Sequence, residues 1–133
     1  MSRGADIELS CWDGTHTFRL RIGELRKLQE KCDAGPLAIA NRLRDGTWLV
    51  DDIRETLRLG LIGAGVKQQD ALMLVERHVD DLPLLQNVST AHAVVMASII
   101  GSEDERLGKP EAGAGQSPNE TSSPSPDSTP QAS

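Results

Sequence analysis

The chain has 133 residues, which is room for one domain of ordinary size, and only 2 % of its residues are aromatic, so Leu, Ile, Val and Ala must build the core. The formal net charge of −6 argues against nucleic-acid binding, because that binding depends on Lys and Arg neutralising phosphates. No apolar run approaches the roughly 20 residues of a membrane span, the polar start Met1–Asp6 does not resemble a signal peptide, and two cysteines are too few for a disulfide framework. We therefore expect a cytoplasmic protein that binds neither nucleic acid nor membrane.

The first predicted element is a β-hairpin over about residues 5–22, centred on Asp13-Gly14. This dipeptide is a strong signal for a two-residue turn, because a type I′ turn needs positive φ at both central positions. A turn there pairs residues whose numbers sum to 27. In that register an apolar face and a face of opposite charges are both satisfied. The predicted pairs are Leu9 with Phe18, Ile7 with Leu20, Glu8 with Arg19, and Asp6 with Arg21.

After Gly23 the apolar spacing changes from a period of 2 to one of 3.6, which predicts helices. Five are expected, at about residues 24–32, 36–44, 51–63, 68–81 and 83–100. Turn and cap residues set these limits, with Pro36 in a first turn and Asp51-Asp52 as acidic caps. The predicted core-facing residues are Ile22, Leu25, Leu28 and Cys32 in the first helix, Ile53, Leu57, Leu61 and Ala64 in the third, Leu72, Val75, Val79 and Leu82 in the fourth, and Leu84, Val88, Ala91, Val95 and Ile99 in the fifth.

The helical pattern ends at Ser102. Beyond it lie five of the seven prolines and almost no large apolar residue, so the segment cannot bury enough to offset its chain entropy. Residues 103–133 hold 2 basic and 6 acidic side chains, whereas residues 1–102 hold 12 and 14. The sequence thus predicts an α+β domain over residues 1–102, with an N-terminal two-stranded antiparallel β-hairpin followed by a bundle of about five α-helices. A disordered acidic tail is expected over residues 103–133.

Gly63-Ala64-Gly65, followed by Lys67, superficially resembles a phosphate-binding loop. Such a loop requires glycines that follow a strand and open a helix, so that amide N–H groups face the phosphate. Here the glycines follow a predicted helix, and no Ser or Thr follows the lysine. A helix C-cap is therefore the better interpretation, and no cofactor is predicted.

His16, His78 and His92, with Cys11 and Cys32, are the candidates for metal binding or nucleophilic catalysis. Zinc sites usually contain close pairs of ligands, and none occurs. The predicted hairpin pairs Cys11 with His16, but a catalytic dyad also needs an orienting group and an oxyanion site. We expect no catalytic residue, no metal ligand and no small-molecule substrate, and hence a protein that is not an enzyme.

Two acidic pairs and one charged helix face remain. Asp51-Asp52 is explained by capping, and Asp80-Asp81 by the turn before Pro83, so both pairs are expected to be solvated. On the first helix the charged positions are the simplest candidates for a solvated face, with docking of a partner as the alternative. These positions are Arg26, Lys27, Glu30 and Lys31.

Three stretches carry a resemblance to a known family. They are FRLRIGELRKLQEKCDAGP at 18–36, VDDIRETLRLGLIGAG at 50–65, and LVERHVDDLPL at 74–84, and the likeness reaches GKP at 108–110. In this order and over nearly all of residues 5–110, the chain resembles the gene transfer agent family proteins, a branch of the tail assembly chaperones of long-tailed phages. The specificity comes from the length and colinearity of the match, since no single motif is diagnostic.

The resemblance implies a helper in tail morphogenesis. Family members are thought to coat the tape measure protein and keep its apolar helical surface soluble while tail tube subunits polymerise around it. They are then displaced, so the protein is expected in the cytoplasm of a producing bacterium and not in the mature particle. The implied partners are the tape measure protein and tail tube subunits, with self-association as a further expectation. The family defines no catalytic residues to carry over.

Two other functions remain open on the sequence alone. One is a structural tail tube or connector subunit that stays in the particle. The other is a regulatory protein-binding module, such as an antitoxin-like partner. Recovery of the protein from purified particles separates the first of these from a chaperone, and the neighbouring genes bear on the second.

Deletion of residues 103–133 tests the predicted tail. Because the segment is expected to bury no apolar surface, the truncated chain should melt within a few degrees of the full chain. Thermal denaturation followed by circular dichroism measures this. A larger drop in melting temperature would mean that the tail docks on the domain.

Overall fold

The computed structural model describes residues 6–101. Within that range the chain forms two strands and five α-helices, together with one π-helical turn and one 3₁₀ turn. In chain order they are β1 (Asp6–Cys11), β2 (Gly14–Arg19), α1 (Ile22–Cys32), α2 (Pro36–Asp45), α3 (Val50–Gly63), α4 (Gln68–Val75), the π turn (Glu76–Asp80), the 3₁₀ turn (Leu84–Asn87) and α5 (Val88–Ile100). The predicted α+β architecture of a hairpin followed by five helices is confirmed. The domain boundary predicted at residue 102 and the predicted tail at 103–133 lie outside the described residues.

The register of the hairpin differs from the predicted one by two residues. β1 and β2 pair with residue numbers that sum to 25, so Ile7 lies opposite Phe18 and Leu9 opposite His16. Because side chains alternate with a period of 2, an even shift leaves the same residues on the core face. Phe18 is fully buried there. The prediction of the apolar face is therefore right, and the prediction of its cross-strand pairs is wrong.

The charged face is rearranged by the same shift. Asp6 lies opposite Arg19 instead of Arg21, and Asp6 Oδ1 is 3.1 Å from Arg19 Nε, an ion pair whose geometry falls short of a hydrogen bond. Glu8 now faces Thr17. Arg21 is released from the strand and lies just before α1, where its guanidinium donates two hydrogen bonds to Glu24, each 2.9 Å long. Glu24 also accepts the backbone N–H of Arg21 at 3.0 Å and so caps the start of α1.

Trp12, and not Gly14, takes the left-handed conformation at the turn. Its φ is 59°, which costs a residue with a side chain about 1 kcal/mol. Tertiary contacts offset that cost. The Trp12 ring stacks on His78 with centroids 5.1 Å apart, and its indole N–H donates to Asn87 Oδ1 at 2.7 Å. These contacts select a register that the local Asp13-Gly14 signal does not favour.

α3 is the central helix of the domain. It packs against β2, α1, α4 and α5, and the predicted core residues Ile53, Leu57 and Leu61 are buried along it. Leu59 and Thr56, which point to other sides of the helix, are buried as well. A helix that is enclosed on most of its circumference presents more than one apolar face. A prediction based on a single stripe therefore underestimates the number of its buried residues.

Two glycines let α3 approach β2 and α5 closely. A Cβ at Gly60 would lie 3.2 Å from side-chain atoms of Phe18 and Val94, and a Cβ at Gly63 would overlap the backbone carbonyl oxygen of Arg19. Gly63 also ends α3, as predicted, and Gly65 follows with a φ of 108°. The GAG segment is thus a helix end pressed against a strand, and it has no relation to a phosphate-binding loop.

Asp52 joins three helices and is completely buried. Its carboxylate accepts hydrogen bonds from the Arg42 guanidinium in α2 and, at 2.7 Å, from the backbone N–H of Leu49. The Arg42 guanidinium also donates to the carbonyl of Cys32 at the end of α1, at 3.2 Å. The predicted capping role of Asp52 is confirmed, and the prediction that this acidic pair is solvated is wrong for Asp52, because a salt bridge to α2 replaces water.

Several predicted core positions are exposed instead. In α4 and the π turn the predicted core residues Val75 and Val79 are buried, together with Ala71, whereas Leu72 and Leu82 at the two ends of the predicted stripe are exposed. Packing against α3 buries Ala71 instead of its neighbour Leu72. The exposed exceptions to the predicted faces are Ile22, Leu72, Leu82 and Ile99.

Replacement of Gly63 by alanine tests the close approach of α3 to β2. The new methyl group has no room beside the Arg19 carbonyl, so Gly63→Ala should lower the free energy of unfolding by about 3 kcal/mol. Gly23→Ala is the matched control, since open space surrounds that position in α1 and alanine there should stabilise by about 0.5–1 kcal/mol. Chemical denaturation measures both. Equal stabilities for the two variants would contradict the packing described.

Candidate protein-interaction surface

The side chains considered for catalysis or metal binding lie on β1, β2, α1, the π turn and α5. Over residues 6–101, no group of three or more His, Cys, Asp or Glu side chains is placed to hold a metal ion. Cys11 lies opposite Gly14, so the predicted pairing of Cys11 with His16 is wrong. Cys32 is buried and donates its S–H to the carbonyl of Asp51 at 3.4 Å. His92 is half-buried on α5.

His16 and His78 do come together, at the tip of the hairpin. Both rings lie 5.1 Å from the ring of Trp12, measured between centroids. His16 shares a hydrogen bond of 2.9 Å with Asp13, and this bond holds the pKa of the Asp13 carboxyl below its ordinary value. Asn87 accepts from Trp12 and donates to the carbonyl of His78 at 2.9 Å. The cluster fastens the hairpin tip to the segment between α4 and α5.

The thiol beside this cluster is a poor nucleophile. Burial, with a further contribution from the negative charge of Asp13, raises the pKa of Cys11 above its ordinary value. The thiolate is the reactive form of cysteine, so a raised pKa leaves little of it at neutral pH. The geometry of the hairpin tip therefore supports a structural role.

A charge network crosses α3 and reaches the π turn. Glu55 is 4 % exposed and accepts hydrogen bonds from Arg58 at 2.7 Å and Arg54 at 2.9 Å. Burial alone would raise the pKa of Glu55, but the hydrogen bond and charge of Arg58 and the charge of Arg54 lower it below its ordinary value. Arg54 also pairs with Asp80 at 3.0 Å. Asp80, predicted to be a solvated turn residue, thus ties the end of the π turn to α3.

The charged face of α1 is exposed as predicted. Arg26, Lys27, Glu30 and Lys31 are all exposed. In the described part of the chain, none of them forms an ion pair within 4.0 Å. Such a face remains open to water and also to a charged partner.

Large apolar side chains are exposed on six separate segments of the described chain. Leu85 is the most exposed at 73 %, followed by Ile22 at 65 %. Isolated exposed apolar residues are ordinary on a protein surface, whereas their concentration at defined places points to binding. The complete set is Ile22, Leu37, Leu49, Val50, Leu72, Met73, Leu82, Leu85, Ile99 and Ile100.

Open grooves lie beside members of this set, and two of them border α1 and α4. The larger, of about 600 Å³, runs from Arg19 through Leu25 to Ser98 on α5 and includes the exposed Ile22. The smaller, of about 240 Å³, lies along α4 and the π turn and is lined by Asp70, Met73, Leu74 and Arg77. The second groove was not predicted from the sequence, although the i, i+3, i+4, i+7 spacing of its residues is the signal that marks one helical face.

Comparison with known protein families gives one match. The model of the family described as "Phage tail tube protein, GTA-gp10" matches residues 5–101, which is most of the chain and includes every described strand and helix. A search of curated proteins and a search of solved structures each gave no significant match. Among the described residues, no helix is both long and apolar enough to cross a membrane. The match agrees with the resemblance seen in the sequence at the level of a phage or gene transfer agent tail family.

Alkylation of the two cysteines tests the conclusion that neither is a catalytic nucleophile. Burial, with the charge of Asp52, raises the pKa of Cys32 to about 12, so almost none of it is thiolate at pH 8. We expect iodoacetamide to leave Cys32 unmodified in the folded protein and Cys11 to react slowly, while both react quickly in denaturant. Peptide mass spectrometry resolves the two sites. Rapid modification of either cysteine in the folded protein would contradict this description.

Proposed function

This chain belongs to the GTA-gp10 family of phage tail tube proteins, and from that premise we propose that it is a tail assembly chaperone of a phage or gene transfer agent. In this proposal it binds the tape measure protein and keeps it soluble while the tail tube forms around it. It acts in the cytoplasm of the producing bacterium, has no catalytic activity, and is absent from the mature particle.

The observation that carries the proposal is the distribution of the exposed apolar side chains. They lie on six segments of a small domain, each with charged residues nearby in the sequence. A permanent subunit usually buries large and mostly apolar interfaces. A chaperone that must be displaced is better served by several modest contacts, because release requires a fast dissociation rate. The net charge of −6 also favours solubility over persistent aggregation.

The larger groove is the proposed docking place for an apolar helix of the tape measure protein. Ile22 stands exposed in it and Leu25 is half-buried, whereas the charges of Arg19 and Arg21 are already balanced by Asp6 and Glu24. An amphipathic helix that lays its apolar side chains into the groove would suit it.

Co-expression with the tape measure protein of the same gene cluster tests the proposal. The full chain should raise the soluble fraction of the tape measure protein, and the two should co-elute in gel filtration. Ile22→Asp should weaken the complex roughly ten-fold or more, because burying one Ile side chain stabilises by about 1.5–3 kcal/mol. Gln29→Asp is the matched control, since it adds the same charge on the exposed side of α1 without removing an apolar group. Unchanged tape measure solubility, with no complex in gel filtration, would exclude the chaperone function.

The second candidate is a tail tube or connector subunit, which the description of the family itself favours. Quantitative mass spectrometry of purified particles separates the two functions. A chaperone should be absent or present in traces, whereas a tube subunit should be recovered in stoichiometric amounts with the other tail proteins.

A further inference from the structure

The smaller groove is lined by Asp70, Met73, Leu74 and Arg77. Lys67, just before α4, and Asp81, just after the π turn, extend it to a series of alternating charges around Met73 and Leu74. Glu76, which is also exposed and follows the apolar centre in the sequence, does not belong to this series. Met73 is 56 % exposed. The four charged residues are all exposed, and between residues 6 and 101 none of them has an ion-pair partner.

Apart from the exposed Glu76, the neighbouring charges of the same region are already paired. Arg54 and Asp80 bind each other, and Glu55 is held by Arg54 and Arg58. The inner face of α4 is occupied too, because Ala71 and Val75 are buried against the core. The outer face of α4 is therefore the part of this segment whose charged and apolar groups have no counterpart in the described domain.

The series is complementary to itself when it is reversed. In an antiparallel pair of these helices centred between residues 73 and 74, Asp70 meets Arg77 of the other copy, and Met73 meets Leu74. Lys67 then lies near Asp81 of the other copy at each end. A parallel pair in register would instead place each charge beside an identical one, which is unfavourable.

We propose that two copies of this chain associate through the outer face of α4 and the π turn, antiparallel about a two-fold axis. A two-fold contact uses the same patch on both copies and is complete with two subunits. The dimer leaves the larger groove beside α1 free, so the inference does not depend on the proposed function. A single helix face is smaller than the roughly 800 Å² per partner of a standard interface, so the association should be weak and sensitive to salt.

Charge exchange between positions 70 and 77 tests the proposal. Sedimentation velocity of the full chain, at concentrations from about 10 μM to about 1 mM, should show a monomer–dimer equilibrium that shifts to monomer at high salt. Asp70→Lys and Arg77→Asp should each abolish the dimer, because each places like charges together. The double variant D70K/R77D restores opposite charges in exchanged positions and should restore the dimer. Glu30→Lys, an equally large charge change on the exposed face of α1, should have no effect.

Three results would overturn the proposal. The first is a chain that stays monomeric over the whole concentration range. The second is a dimer that persists in either single variant. The third is a double variant that stays monomeric although its circular dichroism spectrum and melting temperature match those of the single variants. Since Asp70 lies in the first turn of α4, where an acidic residue favours the helix, the comparison of single with double variants removes the effect of that change on stability.

Discussion

A carboxylate without access to water needs protein groups for its charge and its lone pairs. Asp52 receives them from Arg42 and from the backbone of Leu49, and the same guanidinium reaches the carbonyl of Cys32. These groups belong to α2, to the start of α3 and to the end of α1. Loss of one member of a buried ion pair destabilises by about 3–5 kcal/mol, a large fraction of the stability of a small domain. This one acidic side chain thus links the ends of three helices, and together with the packing of Leu28 and Cys32 in the core it holds α1 in place.

The sequence was most informative where the controlling interactions are local. Helix ends could be predicted because proline and glycine act within a few residues, as Pro36 and Gly63 do. The hairpin register could not, because the Trp12 ring is held by Asn87, 75 residues away along the chain. The exposure of Leu72 and Met73 was equally beyond the sequence, since the apolar pattern of α4 fits several stripes and the position of α3 decides which one is buried.

The domain separates its surfaces by chemistry. The groove beside α1 combines apolar side chains with a paired arginine and glutamate, whereas the outer face of α4 places Asp70 and Arg77 on either side of a small apolar centre. Under the two proposals made above, the first surface receives an amphipathic helix and the second receives another copy of the chain. The low aromatic content, 2 %, keeps either contact from becoming very tight, because aromatic side chains dominate the strongest interfaces.

The fastening of Trp12 also has a consequence for the order of folding. The strongest local turn signal, at Asp13-Gly14, favours a register two residues away from the native one. The native pairing is stabilised by the stacking and hydrogen bond of Trp12 only when His78 and Asn87 are in place beside the indole ring. Contacts between residues so distant in sequence form late, because a long loop must close first. Although the hairpin precedes the helices in the chain, we therefore expect its final register to be set after the helices have assembled around α3.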